Sequence, residues 1–597
     1  MNATWKGRRS ARFLSLALAP LAVTALAAAQ QTTRASVDSL GHEGDDDSSF
    51  PVLSRDGRFV VFQSDASNLV PGDANSNMDV FVHDRLTGVT RQVSVSSLGA
   101  GGDGPSREPV ISADGRFVAF TSDATNLVPG DTNAGWDVFV RDLVLETTVR
   151  ASVDSFGQQV NGLSGLPSIS ADGRYVAFSS TASALVPGDT NTFRDVFVRD
   201  LVNGVTERVS IATGGAQAQS GLSDTPSISG SGQFIAFTSA AANLVVGDTN
   251  NATDVFVHDR INGTTLRASI SSAGAQASVA SFAPALSLDG SAVVFQSNAS
   301  TLVSGDTNNT TDVFLHDLVL GTTERVSRGF NSAQPNGPST RPSIAGDGTK
   351  VLFQSSASNL VTPDANGPVP DQFLFDRTTG TTTLVALSFD DRQIFEGSEF
   401  GTLAVDGLVI AFTSLANKYV PNDGNVASDV FVRDLLPLPA APVAFCNADA
   451  DSTPCPCGNS GPNGLLGGCQ NSLGLFGALL CEGTPRISLD SLRFTGVNLP
   501  NSSALLLQGT ARENGGLGVV LGDGLLCVGG SIVRLGSKPV ASNSASFPVA
   551  GEPTLSTQGS VLPGDVKTYQ LWYRNSAAYC SSATYNLTNA WEVVWGP

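Results

Sequence analysis

The sequence predicts an all-β chain: a seven-bladed β-propeller followed by a small cysteine-containing, β-sandwich-like domain. Three observations predict it. A unit of about 58 residues recurs seven times, each unit carries four strand signals without a helical period, and all seven cysteines lie beyond the last unit. At 597 residues the chain exceeds what one core ordinarily serves, so more than one domain is expected. Its 62 glycines and 30 prolines suit many short elements joined by tight turns.

The first element is a targeting segment, residues 1–29. Lys6, Arg8, Arg9 and Arg12 precede the apolar run Phe13 to Ala29, and Ala27-Ala28-Ala29 offers a small-residue cleavage site before Gln30. The apolar run is 17 residues long and holds Pro20, short of the ~20 that a spanning helix needs. Cleavage is therefore expected, with no stable membrane insertion afterwards and a secreted or periplasmic destination. A net charge of −20 leaves no basic surface to neutralise phosphates, which argues against nucleic acid and anionic lipid as partners.

Residues 30–435 form the repeat region. Ser112-Ala-Asp-Gly-Arg-Phe-Val-Ala-Phe120 returns as Ser170-Ala-Asp-Gly-Arg-Tyr-Val-Ala-Phe178, and related copies begin at Ser54, Ser229, Ser287, Ala345 and Val405, spaced 58, 58, 59, 58, 58 and 60 residues. In the third unit Pro167–Ser170 reads as a short strand and Asp172-Gly173 as a hairpin turn. Tyr175–Ser179 is a nearly continuous apolar run, as a strand covered on both faces requires. Val196–Val198 is the third strand, Asn203-Gly204 a second turn, and Thr206–Ile211 the fourth strand. Such units are the blades of a propeller. The mature chain opens with Thr32–Val37, which matches the fourth strand Thr148–Val153, whereas the last unit ends at Asp434 without a fourth strand. Strand 32–37 is therefore expected to complete the last blade and close a ring.

The Ser-x-Asp-Gly-Arg-hydrophobic-hydrophobic-x-Phe unit resembles the WD40-like (PD40) propeller repeat of TolB-type proteins over Thr32 to Leu435. That resemblance implies an exported propeller that binds other proteins. The small α/β domain that precedes the propeller in TolB is missing here, and seven blades replace six, so a Tol–Pal role is not carried over.

The turns between strands one and two and between strands three and four are short. The connections between strands two and three and from strand four to the next blade are long, so all long loops are expected on one face, the natural binding face. The loop between strands two and three repeats Asp-x-Asn-x-x-x-Asp: Asp73/Asn75/Asp79, Asp131/Asn133/Asp137, Asp189/Asn191/Asp195, Asp248/Asn250/Asp254, Asp306/Asn308/Asp312 and Asp423/Asn425/Asp429. A longer copy, Asp364/Asn366/Asp371, is interrupted by Pro368 and Pro370. One reading is a calcium site per blade, since hard cations want several oxygens from a tight loop. The other is a turn capped by Asp and Asn, without the closing glutamate of a calcium-binding loop. Either way the face is expected to be acidic.

No catalytic residue is singled out. His83, His258 and His316 share a repeat position with Arg141, Arg199 and Arg433, which suggests a solvated strand end rather than a general base. No Gly-x-Ser-x-Gly elbow occurs. The aspartates could supply a glycosidic pair, but their sameness from blade to blade speaks for a structural role.

Leu435–Pro442 reads as a stiff, proline-rich stretch, with the linker taken as 436–445 and the C-terminal domain as 446–597. Cys446, Cys455, Cys457, Cys469, Cys481, Cys527 and Cys580 are expected to form disulfides with one left over, the pairing open. Zinc at Cys455, Cys457 and Cys469 is the alternative. Strand runs at Ser503–Gln508, Ser531–Leu535, Thr568–Tyr573 and Trp591–Trp595 suggest a sandwich. Cys455-Pro-Cys-Gly-Asn459, Gly522–Gly529 and Tyr569–Arg574 resemble a terminal module of exported bacterial proteins. The expected function is a non-enzymatic binding scaffold for a protein in the cell envelope or outside. A calcium-assisted carbohydrate or polymer binder is the alternative, with a propeller lyase or glycosidase behind it.

Overall fold

The computed structural model describes residues 32–596 except 74, 134, 422, 436–441, 448–452, 457–459, 461–465, 484, 486–491, 550–551, 563 and 576–580. The targeting segment, Cys457, Cys580 and most of the linker lie outside the described residues.

Seven four-stranded antiparallel sheets follow one another along the chain. Blade one consists of Ser48–Leu53, Phe59–Ser64, Asp79–Asp84 and Val89–Gln92, and the later blades repeat this order. First strands of successive blades touch one another all the way round, and that of blade seven, Glu399–Leu403, touches that of blade one. The first strands therefore line the axis and the fourth strands form the rim. The second and third strands are buried almost throughout, as their apolar runs require. Across them a pair of phenylalanines stacks in each blade, such as Phe120–Phe139 and Phe178–Phe197 with ring centroids 5.9 and 6.0 Å apart.

The Asp-Gly turns do two jobs. Ser112 Oγ donates to Asp114 Oδ1 and accepts from the Phe117 N–H, closing the turn on itself. The following arginine reaches the end of the third strand, where Arg58 Nε and Nη2 donate to Asp84 at 2.8 and 2.7 Å. The equivalent Arg174 holds the Asp200 carboxyl well below its ordinary range. Glycine is obligatory here on two counts: Gly173 has φ +72°, and a Cβ would collide with the Phe117 ring of the preceding blade.

The connections from strand four to the next blade depart from expectation. They do not all gather on one face. Six of the seven begin as a small hairpin, bridged for instance Val95 to Gly101 and Val153 to Gln159, that lies along the fourth strand of the next blade. The connection into blade six holds the short 3-10 turn Phe330–Ser332 instead. Ser97 Oγ accepts from the Thr148 N–H at 2.9 Å, and Thr148 Oγ1 donates to Val95 O at 2.6 Å. The same latch links Ser39 with Thr90 and Ser155 with Thr206. These hairpins bind neighbouring blades around the circumference, and only their returning limbs reach the long-loop face.

The N-terminal strand completes blade seven. Thr32, Thr33 and Arg34 pair with Arg433, Val432 and Phe431, and the Ala35 N–H donates to Val430 O at 2.8 Å. Ser36 Oγ donates to Asp429 Oδ1 at 2.5 Å and accepts from the Val430 N–H at 3.0 Å, while Arg34 pairs with Asp429 at 3.0 Å.

The C-terminal domain is a sandwich of a five-stranded sheet, ordered Val443–Phe445, Tyr585–Val594, Val566–Arg574, Ser503–Gly509 and Val533–Pro539, and a three-stranded sheet, Ala478–Glu482, Arg493–Val497 and Ala545–Phe547. Phe494, Leu506, Tyr569, Leu571 and Trp595 share its core. The last linker residues, Val443–Phe445, are thus a strand of this domain, paired with Trp591 and its neighbours. Cys446–Cys527 and Cys455–Cys469 are disulfides, so the sulfurs of Cys455 and Cys469 are spent on each other rather than on zinc. Cys481 is unpaired, and burial pushes its thiol up to about 12, which leaves it inert.

Removing residues 32–37 is expected to abolish the cooperative unfolding of the propeller. Ser36→Ala alone should cost about 1–3 kcal/mol, because two polar groups in the core lose a partner. Denaturant titration followed by circular dichroism measures both.

Candidate binding site at the mouth of the axis

The Asp-x-Asn loops are built as cages that the chain itself fills. In blade three the Asn191 Nδ2 group donates to Asp195 Oδ2 at 2.9 Å and to Ala218 O at 2.9 Å, while Asn191 Oδ1 accepts the Phe193 N–H. Asp195 Oδ1 accepts from Ser210 Oγ at 2.5 Å. The asparagine thus presents its nitrogen, not its oxygen, to the aspartate.

The other copies repeat this orientation. Asn75, Asn133, Asn250 and Asn308 donate through Nδ2 to Asp79, Asp137, Asp254 and Asp312 at 2.8, 3.1, 2.8 and 3.0 Å. Asn425 Nδ2 donates instead to Gly44 O at 2.8 Å. The amide oxygens that a calcium site would need are turned away: those of Asn75, Asn133, Asn250, Asn308 and Asn425 accept the backbone N–H of Asn77, Gly135, Ala252, Thr310 and Ala427. Each asparagine is therefore a turn cap where a calcium ligand was the alternative expectation.

A guanidinium then lies against both carboxylates of most cages. Arg208 is 3.0 Å from Asp189 and 3.7 Å from Asp195. The same arrangement joins Arg150 to Asp131 and Asp137, Arg267 to Asp248 and Asp254, Arg325 to Asp306 and Asp312, and Arg34 to Asp423 and Asp429. A calcium ion placed between these carboxylates would have to displace a buried cation bonded through its own backbone. Among the described residues no group of three or more His, Cys, Asp or Glu side chains is placed to hold a metal.

Two blades depart from the pattern. In blade one Gln92 stands where the arginine would be, and Asp73 and Asp79 are both raised, mainly by burial. In blade six Leu384 and Ala386 replace the arginine and the serine. Gln393 Nε2 fills the gap, donating to Asp364 at 2.9 Å and Asp371 at 3.0 Å. Burial pushes the Asp371 carboxyl up to about 6, as it does that of Asp429 beside Arg34.

The histidines are not at a solvated strand end. His83, His258 and His316 are buried, and each Nδ1 lies 2.9 Å from the hydroxyl of Thr90, Thr265 or Thr323. Arg199 and Arg433 reach the equivalent hydroxyls of Thr206 and Thr32. These threonines are the ones latched by the circumferential hairpins, so the position sits under the neighbouring connection. Burial lowers the histidine pKa values, which keeps the rings neutral and part of the packing.

The blades differ at the axis. Every first strand carries a bulge at its third and fourth residues, shown by the register shift between Ser49 and Val52 and its equivalents. The bulged residues are Phe50, Glu108, Leu166, Thr225, Ala283, Arg341 and Phe400, all with φ between +49° and +56°. Non-glycine residues rarely adopt this conformation, and a bulge re-aims its side chain. Here the seven side chains line one axial cavity of about 430 Å³. Six are followed by proline, which removes the N–H from the inner edge; in blade seven Gly401 takes that place.

The mouth has distinct sectors. Phe50 and Phe400 lie with ring centroids 4.0 Å apart, and the Arg341 guanidinium lies over Phe400 at 3.8 Å. Glu108 Oε2 accepts from Thr121 Oγ1 and the Leu166 N–H, at 2.9 and 3.0 Å. Arg107 stacks on Trp136 at 3.8 Å, and Arg194 pairs with Asp224 at 3.1 Å. A neighbouring cavity of about 560 Å³ carries Phe193, Leu222 and Phe282. Sequence reasoning did not single out the bulged residues. Their signal is the residue before the recurring proline, the position that differs most among otherwise similar units.

No protein-family model matches the chain. No curated protein matches it. Solved structures do. An oligogalacturonate lyase in complex with manganese aligns at 13% identity over 69% of this chain and 94% of that one, with a TM-score of 0.43. TolB from Acinetobacter baumannii aligns at 15% identity over 57% of this chain and 64% of that one, with a TM-score of 0.31. An acylaminoacyl peptidase from Pyrococcus horikoshii aligns at 11% identity over 65% of this chain and 51% of that one, with a TM-score of 0.40.

Two outcomes are expected. Chelator or added calcium should leave the melting temperature unchanged, whereas Arg208→Ala should cost about 3–5 kcal/mol by leaving Asp189 and Asp195 without their cation. Differential scanning calorimetry reads both. At Asp371 the folded-state pKa lies above the ordinary 3.8, so the native state binds the extra proton and loses stability as pH rises from about 4 through about 6. Asp371→Asn should therefore stabilise the protein by about 1–3 kcal/mol at pH 8 and confer nothing below pH ~4, in urea titrations at the two pH values.

Proposed function

We propose that this is an exported, non-enzymatic binding protein that receives a protein partner at the axial mouth of the long-loop face. The observation that carries this reading is where the blades diverge. The repeated arginines and loop aspartates are paired with one another and the histidines with threonine hydroxyls, all of them buried, so they hold the ring rather than standing as free acid–base groups. The seven bulged residues are chemically unlike, face a common cavity and adjoin exposed aromatics, as an asymmetric partner requires. The two disulfides of the C-terminal domain suit an oxidising compartment. Among the described residues no helix is long and apolar enough to cross a membrane.

The gathering of Phe50, Phe400, Trp136, Phe193 and Phe282 favours carbohydrate or polymer binding as the second reading. It ranks lower because Phe400 is already covered by Phe50 and Arg341. It draws on the aromatics alone and needs no calcium.

The test compares two faces. Trp136→Ala with Phe282→Ala should weaken binding of a cross-linked envelope partner at least tenfold. Val202→Asp with Ile261→Asp, on exposed turns of the opposite face, should leave it unchanged. The reverse pattern overturns the choice of face, and retention of oligosaccharides in place of protein favours the second reading.

A further inference from the structure

The mouth of the axis is apolar on most sides. Proline rings come from six blades, and Phe50, Leu166, Ala283 and Phe400 add their side chains. Its charged groups are not equivalent. Glu108 is satisfied by a hydroxyl and a backbone N–H, Arg107 lies 3.8 Å from Glu108, and Arg194 has Asp224. Arg341 differs from all of these. Its backbone N–H donates to Gln296 Oε1 at 2.9 Å; its guanidinium rests on the Phe400 ring within the field of the Glu399 carboxylate, without an ion pair or hydrogen bond to a described residue.

Stacking fixes the plane of a guanidinium while leaving its in-plane N–H groups to point outward. Those donors match a carboxylate, which two parallel N–H bonds can hold. Beside them the exposed Phe50 ring, backed by Phe400, offers an apolar wall. One oriented cation beside aromatic rings selects an anion that carries an apolar body. Although Arg341 is exposed, desolvation against the mouth lowers its pKa, a cost that an incoming carboxylate offsets.

The geometry points to a carboxylate-binding subsite at Phe50, Phe400 and Arg341, whose occupant is the free C-terminus of a partner polypeptide ending in an apolar or aromatic residue. This rests on the reading of the long-loop face as the binding face. The cavity of about 430 Å³ admits a terminal residue and part of its predecessor, not a folded domain. A chain end is also the part of a protein that can enter an axial hole.

The experiment is calorimetric titration of the full-length protein with acetyl-Ala-Ala-Phe as free acid, with its C-terminal amide, and with 3-phenylpropanoate. The free acid should bind at least tenfold more tightly than the amide. Arg341→Gln should erase that difference, and Arg341→Lys should keep part of it. Arg341 is exposed, so neither variant threatens folding. Equal binding of acid and amide, an acid preference surviving in Arg341→Gln, or no binding of either overturns the subsite. Phenylpropanoate binding as tightly as the peptide acid overturns the polypeptide occupant. The face reading fails separately: partner binding lost on substitution of Val202 and Ile261, with peptide-acid binding intact, would sink it alone.

Discussion

Everything in the propeller depends on the contact that closes its ring. Each blade buries both faces against its neighbours, so an open row would leave two large apolar faces in water. Closure is made by a strand nearly 400 positions from its partner in sequence, and its chemistry is that of an ordinary blade. Arg34 meets Asp423 and Asp429 as Arg208 meets Asp189 and Asp195, and Ser36 serves Asp429 as Ser210 serves Asp195. The seam therefore carries the same polar cage as the blades it joins. A mispaired N-terminal strand would leave two buried carboxylates without their cation, which specifies register as well as closure.

A ring of repeats separates support from recognition. A position that must perform the same packing task in every blade converges on one chemistry, and the loop cages and latched threonines have done so. Where the ring leaves a position free, the blades diverge, and here that position is the bulge at the axis. The bulge has a cost: a non-glycine residue in the left-handed region is disfavoured by roughly 1–2 kcal/mol, and seven occur at equivalent places. The surrounding strands over-determine that conformation. In return, seven side chains of free choice face one cavity.

The sequence disclosed what local chemistry decides. Asp-Gly and Asn-Gly turns, apolar second strands and the displaced fourth strand are written in neighbouring residues, so the blade architecture and the closure could be read directly. Radial position could not. Pro167 looked like the start of a strand, yet the strand begins at Ser164 and the residue between, Leu166, is the one at the axis. The shared His and Arg position looked like solvent because both are polar. Its burial comes from a hairpin of the preceding blade, some fifty residues upstream of the threonine it latches. Val443–Phe445 was hidden for a similar reason: beside a proline-rich stretch, only its partner Tyr585–Val594 makes it a strand.

The Asp-x-Asn loops pose an electrostatic demand that two chemistries can meet. Two carboxylates and an amide around a tight turn create a need for positive charge, and that need is what a calcium motif and this loop have in common. Calcium answers it with an ion drawn from solution, so the loop's order then varies with the ion's activity. An arginine on the adjacent strand answers it with a cation of fixed stoichiometry, already ordered by the fold and indifferent to the medium. The spacing is also silent on which end of the amide faces the carboxylate, and in Asn75, Asn133, Asn250 and Asn308 it is the donor end. Blade six meets the demand differently: with Leu384 in place of the arginine, a neutral glutamine bridges the carboxylates, and burial raises Asp371 as it raises Asp429 beside Arg34. What the spacing encodes is an electrostatic demand, and the residue that meets it lies on another strand.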